Sequence, residues 1–243
     1  MARQNRPGPT LPYRPMGGAV PCPGGWLVVA GKLQGITLAP TELLVVGRFA
    51  EVLDYMPAFD ILTVHAPVGL PKEPDPRGRI CDQEARRLLG WPRAGAVISA
   101  PVRAALGAKT LEQATARNGT MSAVQWSILP RIAEVAKDMQ AYHQRTVYEV
   151  HPELSFYQLN RDRPMTHPKH TEEGHQERRE LLESHLPGIE RLLGQRLRGA
   201  HPEHVLDASA ALWTARRVAS RSAVRIPEDP DWDEVGLRME ILR

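Results

Sequence analysis

The chain has 243 residues, 42% of them apolar and 5% aromatic, which suffices for one sizeable α/β domain or two small ones. Its formal net charge is only +3 despite a pI near 9.0, and arginine outweighs lysine, so a nucleic-acid partner is permitted on a weak electrostatic footprint. No apolar run approaches the ~20 residues that span a bilayer and no apolar leader opens the chain, so the expectation is a cytoplasmic protein with no membrane contact.

Residues 1–17 carry four prolines among three arginines with almost nothing apolar to bury, and read as a disordered, mildly basic arm; 18–243 read as a single domain. Apolar runs at 26–30, 43–46 and 61–66 predict strands, with a short helix through Val52 and Met56 between the second and third. Their near-continuous apolar character suits a sheet covered on both faces. Residues 79–90 predict a helix closed by Gly90, with Ile80, Ala85, Leu88 and Leu89 inward and Arg79, Arg86 and Arg87 outward. After an irregular stretch around one short helix, Met121, Val124, Ile128, Ile132, Val135 and Met139 recur at spacings of three and four and predict a helix over 121–143, kinked or broken at Pro130.

Residues 146–150 return to strand character. Pro152 then reads as a terminator that holds His151 and Glu153 at a bend. Polar helices are predicted over 172–185 and 188–195, a last helix over 202–220 with Pro202 in its first turn, and a terminal strand over 237–242. The two cysteines, Cys22 and Cys81, form no CxxC pair, which suits a reducing compartment. Compact zinc motifs, GxGxxG, P-loop and GxSxG patterns are all missing, so nucleotide cofactors and serine-hydrolase chemistry have no support.

What remains distinctive is an ordered series of short motifs. It runs Cys22-Pro23-Gly24-Gly25-Trp26, Pro67-Val68-Gly69-Leu70-Pro71, Arg79 with Cys81-Asp82, Ala100-Pro101 with Arg103, and Gln125-Trp126. It continues through Glu149, His151-Pro152-Glu153 and Phe156, then Lys169, Gly174 and Arg178, and closes on Leu206-Asp207-Ala208. The series resembles a domain-of-unknown-function family of predicted RNase H-like nucleases. The resemblance implies an α/β fold, a mixed central sheet of about five strands flanked by helices. It also implies hydrolysis of a phosphodiester by two Mg²⁺ or Mn²⁺ ions held by converging carboxylates.

This chain departs from that pattern at three places. Val20 and Pro21 stand near an expected aspartate, His65 stands for another at a strand end, and Glu203-His204 stand where two acids would precede Asp207. One reading keeps a hydrolase with altered ligands: Asp207, Glu149 and Glu153 as catalytic carboxylates, and His65, His204 and Asp207 as ligands for Mn²⁺ or Zn²⁺ rather than Mg²⁺. On the last helix Glu203, His204 and Asp207 can share a face. The other reading is a non-catalytic binding or scaffolding module, with Asp207 in a structural ion pair with an arginine or in a neutral hydrogen bond, and both histidines as satisfied polar residues. Arg178 and Arg179 fit either a phosphate contact or a solvated helix face.

Overall fold

The computed structural model describes residues 12–243. Four strands at the start of that range build most of one sheet: β1 (Arg14–Cys22), β2 (Gly25–Gln34), β3 (Thr37–Val46) and β4 (Ile61–Val64). A fifth, β5 (Val147–Glu149), completes it in the order β3-β2-β1-β4-β5. Strands β1 to β3 form an antiparallel meander, whereas β4 and β5 run parallel to β1. The four strands expected at 26–30, 43–46, 61–66 and 146–150 thus share one mixed sheet.

β1 is the central strand and corrects the expected extent of the N-terminal arm. Residues 1–11 of that arm lie outside the described residues, but Arg14–Cys22 is paired along its length with β2. Its composition, with Pro15, Gly17, Gly18 and Pro21, carries little strand propensity. The glycine is needed for another reason. A methyl group at Gly18 would sit 2.3 Å from the Leu212 nitrogen and 2.4 Å from the Ala208 oxygen. Both atoms belong to α8 (Pro202–Ala219), a helix that lies with its backbone directly on β1.

The helices divide over two faces. Alternation along β1 sends Met16 and Val20 toward α8 and Ala19 to the opposite side, and β2 does the same with Leu27 and Val29 against Trp26 and Val28. On the α8 face the core is completed by α5 (Pro152–Leu159), α6 (Glu172–His185) and α7 (Glu190–Leu193) through Phe156, Leu182 and Leu192. On the other face lie α1 (Phe49–Leu53) and α4 (Ala123–Asp138), bound to β2 by Trp26 Nε1, which donates to Glu134 at 2.9 Å. α4 continues without a break through Pro130, which sits exposed.

α2 (Ile80–Leu89) and α3 (Leu111–Asn118) lie outside these two layers. In α2, Cys81, Asp82, Ala85 and Leu89 are buried and Ile80 is half-exposed. Arg79, expected to face solvent, is buried instead. The chain closes with a two-stranded ribbon, β6 (Arg225–Ile226) with β7 (Ile241–Leu242), and Leu242 bridges to Val150 beyond β5. Among the described residues no helix is long and apolar enough to cross a membrane.

Candidate functional site

The parallel strands β1, β4 and β5 end side by side, and a cavity of about 340 Å³ opens beyond their carboxyl ends. This is where ligands bind in open α/β sheets, because the loops that leave parallel strands diverge there. Pro21 lines it from the last turn of β1, His65 from the residue after β4, and Glu149 from the last residue of β5. His151 and Glu153 enter from the start of α5, Arg79 and Asp82 from the start of α2, and Asp207 from α8. Of the expected site residues, His65, Glu149, Glu153 and Asp207 therefore line one cavity.

Pro152 does not end the chain's regular structure. It occupies the first turn of α5, where its missing N–H removes no helical bond, so His151 caps a helix and Glu153 stands in its first turn. The bend expected there is a helix start.

Each carboxylate of the cavity is paired with a cation. Arg79 Nη1 donates to Glu149 Oε2 at 2.8 Å while its Nη2 donates to Asp82 Oδ1 at 2.8 Å, so two acids share one guanidinium. All three side chains are almost completely buried. Arg178 Nη2 donates to Glu153 Oε1 at 2.7 Å, again within the interior. Lys169, half-exposed at the rim, donates to Asp207 Oδ2 at 2.9 Å. The Asp207 carboxylate in turn lifts the Lys169 ammonium above its ordinary pKa.

Burial raises Glu149 above the usual carboxylate value even with Arg79 pulling the other way. For Asp82 burial is outweighed by the charge and hydrogen bonds of Arg79, with help from the Ala100 amide, and its pKa falls. Burial also pushes the two imidazoles of the cavity down, His65 strongly and further by the nearby charges of His151 and Lys169. Both rings are thus neutral at pH 7, and they meet edge to face with centroids 4.9 Å apart. His151 Nε2 lies 3.2 Å from the Ala96 carbonyl oxygen.

The His65–His204–Asp207 grouping is not assembled as a ligand set. His204 does not line the cavity; its Nδ1 accepts the His201 backbone N–H at 3.0 Å and caps α8. Among the described residues no three or more His, Cys, Asp or Glu side chains are placed to hold a metal ion. The donor set agrees: Glu149 spends both oxygens on Arg79, and Asp207 is engaged by Lys169. These residues do not fit a two-metal centre.

The cations are what residue-by-residue reasoning missed. Arg79, Lys169 and Arg178 all belong to the motif series, yet Arg79 reads as solvent-facing and Arg178 as either a phosphate contact or a solvated helix face. The available signal was stoichiometric: the series contains about as many basic residues as acids, which suits buried acids that must be paired.

A search of protein families matches residues 19–232 to one described as a protein of unknown function (DUF429). No curated protein and no solved structure matches the chain.

Proposed function

Because the chain belongs to this family of unknown function, we propose its role from the cavity itself: a non-catalytic binding module with an RNase H-like fold. The five-stranded mixed sheet flanked by helices supports the RNase H-like part of that reading. The observation that carries the functional part is the pairing of Glu149 with Arg79, Glu153 with Arg178 and Asp207 with Lys169. A Mg²⁺ ion needs several ionised oxygens in near-octahedral array. To recruit Glu149 and Glu153 it would have to break two buried pairs, each at about 3–5 kcal/mol. The ion pairs thus stand where a metal-dependent nuclease would gather its carboxylates, and the cavity is left as a binding pocket.

Calorimetric titration with Mg²⁺, Mn²⁺ and Zn²⁺, run beside cleavage assays on single- and double-stranded DNA and RNA, tests this. The expected outcome is neither heat of binding nor cleavage. Mg²⁺-dependent cleavage that disappears in Asp207→Ala would return the chain to the nucleases. Zn²⁺ or Mn²⁺ uptake lost in His65→Ala would instead favour a nitrogen-rich metal site.

A further inference from the structure

Two residues of the cavity lining, His151 and Glu153, each hold a buried acceptor that nothing in the protein satisfies. The Ala96 carbonyl can only accept, so His151 Nε2 holds the ring's proton and Nδ1 presents a lone pair. That Nδ1 is buried and has no hydrogen-bond partner. Glu153 is in the same position: Oε1 takes the Arg178 bond, while Oε2 is buried without a partner. Buried polar groups are nearly always satisfied, and two unmet acceptors on residues two apart in the cavity lining mark a place for a donor.

Charge points the same way. Asp82 and Glu149 share Arg79, so that group carries one excess negative charge when both acids are ionised, whereas Glu153–Arg178 and Asp207–Lys169 are each balanced. An anion would find every nitrogen of Arg79 already committed to Asp82, Glu149 and the Gly69 carbonyl, and the other two cations of the lining, Arg131 and Lys169, paired with Glu134 and Asp207. The remaining wall is largely hydrocarbon, from Ala66, Pro67, Val97, Ile98, Ile128 and Ile132. Its volume falls at the lower end of small-molecule pockets, which start near ~300 Å³.

Resting on the binding-module reading, we propose that this cavity binds a small protonated amine. Its ammonium donates to Glu153 Oε2 and His151 Nδ1, and its apolar body lies against the Val97–Ile132 side of the wall. Three probes of one shape separate the possibilities on the full chain: benzylamine, benzyl alcohol and benzoate, each titrated by calorimetry and by thermal shift. Benzylamine should bind at least about tenfold more tightly than benzyl alcohol, a difference of ~1.4 kcal/mol, and benzoate should not bind. Glu153→Gln should weaken benzylamine by a similar factor and leave benzyl alcohol unchanged. Because that variant disturbs the Arg178 pair, Ile128→Trp gives a second check. Ile128 is half-buried at the wall, and a larger side chain there should fill the cavity and abolish benzylamine binding with the fold intact.

Benzoate or benzyl alcohol binding as tightly as benzylamine, benzylamine binding that survives Ile128→Trp, or no benzylamine binding at millimolar concentration would each overturn the proposal. The Mg²⁺ titration reads the underlying reading separately. Failure of the amine without Mg²⁺ uptake removes the ligand class alone, whereas Mg²⁺ uptake at these carboxylates removes both.

Discussion

A carboxylate moved out of water loses its hydration, and only a matched cation at hydrogen-bond distance restores most of it. Arg178 and Glu153 are each about 1–5% exposed at the side chain, so neither can fall back on solvent if the other is removed. Arg178→Met should therefore lower unfolding stability by about 3–5 kcal/mol, while Arg178→Met with Glu153→Met should recover most of the loss. Urea denaturation of the two variants decides this, and a double variant no better than the single one would show that the pair is not the relevant unit. The neutral imidazoles give a pH signature with a definite sign. A histidine whose folded pKa lies below its unfolded value of about 6.5 binds more protons when unfolded, so stability falls as pH drops below ~6.5. For His65 the slope is at most about 1.4 kcal/mol per pH unit, and it is fully absent above that window. His65→Gln should flatten the stability profile between pH 6.5 and 5 relative to the parent chain. Equal slopes would mean that the fold does not hold the His65 pKa below its unfolded value. The difference between the two profiles cancels the opposite contribution of Glu149, whose raised pKa favours the folded state as pH falls.

At the scale of elements, α8 and β1 meet backbone against backbone at Gly18. Thr63 on β4 donates to the Ala211 carbonyl at 2.7 Å, and Ala208 and Ala211 are fully buried, so the helix reaches the sheet without intervening side chains. Gly18→Ala places its methyl against helix backbone, which cannot rotate away, and should cost about 1–3 kcal/mol or more. Gly95→Ala is the matched control: its methyl meets nothing within 4 Å, and it should be near neutral by thermal melting. This junction also explains what could and could not be read from the chain. Helices α2, α6 and α8 follow from spacing and caps within their own segments, and all three fall where expected. β1 does not, because Gly18 answers to a helix about 190 residues downstream and not to strand propensity. α5 was hidden differently: Pro152 ends a strand and begins a helix with the same missing N–H, and local sequence does not rank the two. Among the site residues the strand-end and α8 positions were legible because motifs carry them, but the burial of Arg79 depends on Glu149, 70 residues away.

For the molecule as a whole, the cavity depends on a loop held from three sides. The segment 66–71 leaves β4 just after His65, and its Val68 amide donates to Glu149 at 2.8 Å while its Gly69 carbonyl accepts from Arg79 at 2.9 Å. The third hold comes from the C-terminal segment: the Leu70 amide donates to Asp233 at 3.2 Å, and a methyl at Gly69 would lie 2.7 Å from the Arg238 carbonyl oxygen. Asp233 also takes the Leu237 amide at 2.8 Å and pairs with Arg103, so one buried carboxylate ties the loop, the C-terminal turn and the segment before α3 together. The expected strand at 237–242 shortens to β7 because residues 237–240 are engaged in these contacts and in the Glu240–Arg238 pair rather than in a sheet. Removing the carboxylate in Asp233→Ala leaves Arg103 and the three amides of Leu70, Val235 and Leu237 unmet and should destabilise the fold by about 3–5 kcal/mol. If the clamp is continuous, hydrogen exchange at Val68 and Leu70 should accelerate in this variant while the β2 amides, paired on both sides, stay protected. Faster exchange confined to residues 233–239, with Val68 and Leu70 unchanged, would show that Glu149 and Arg79 hold the loop without help from the C-terminal segment.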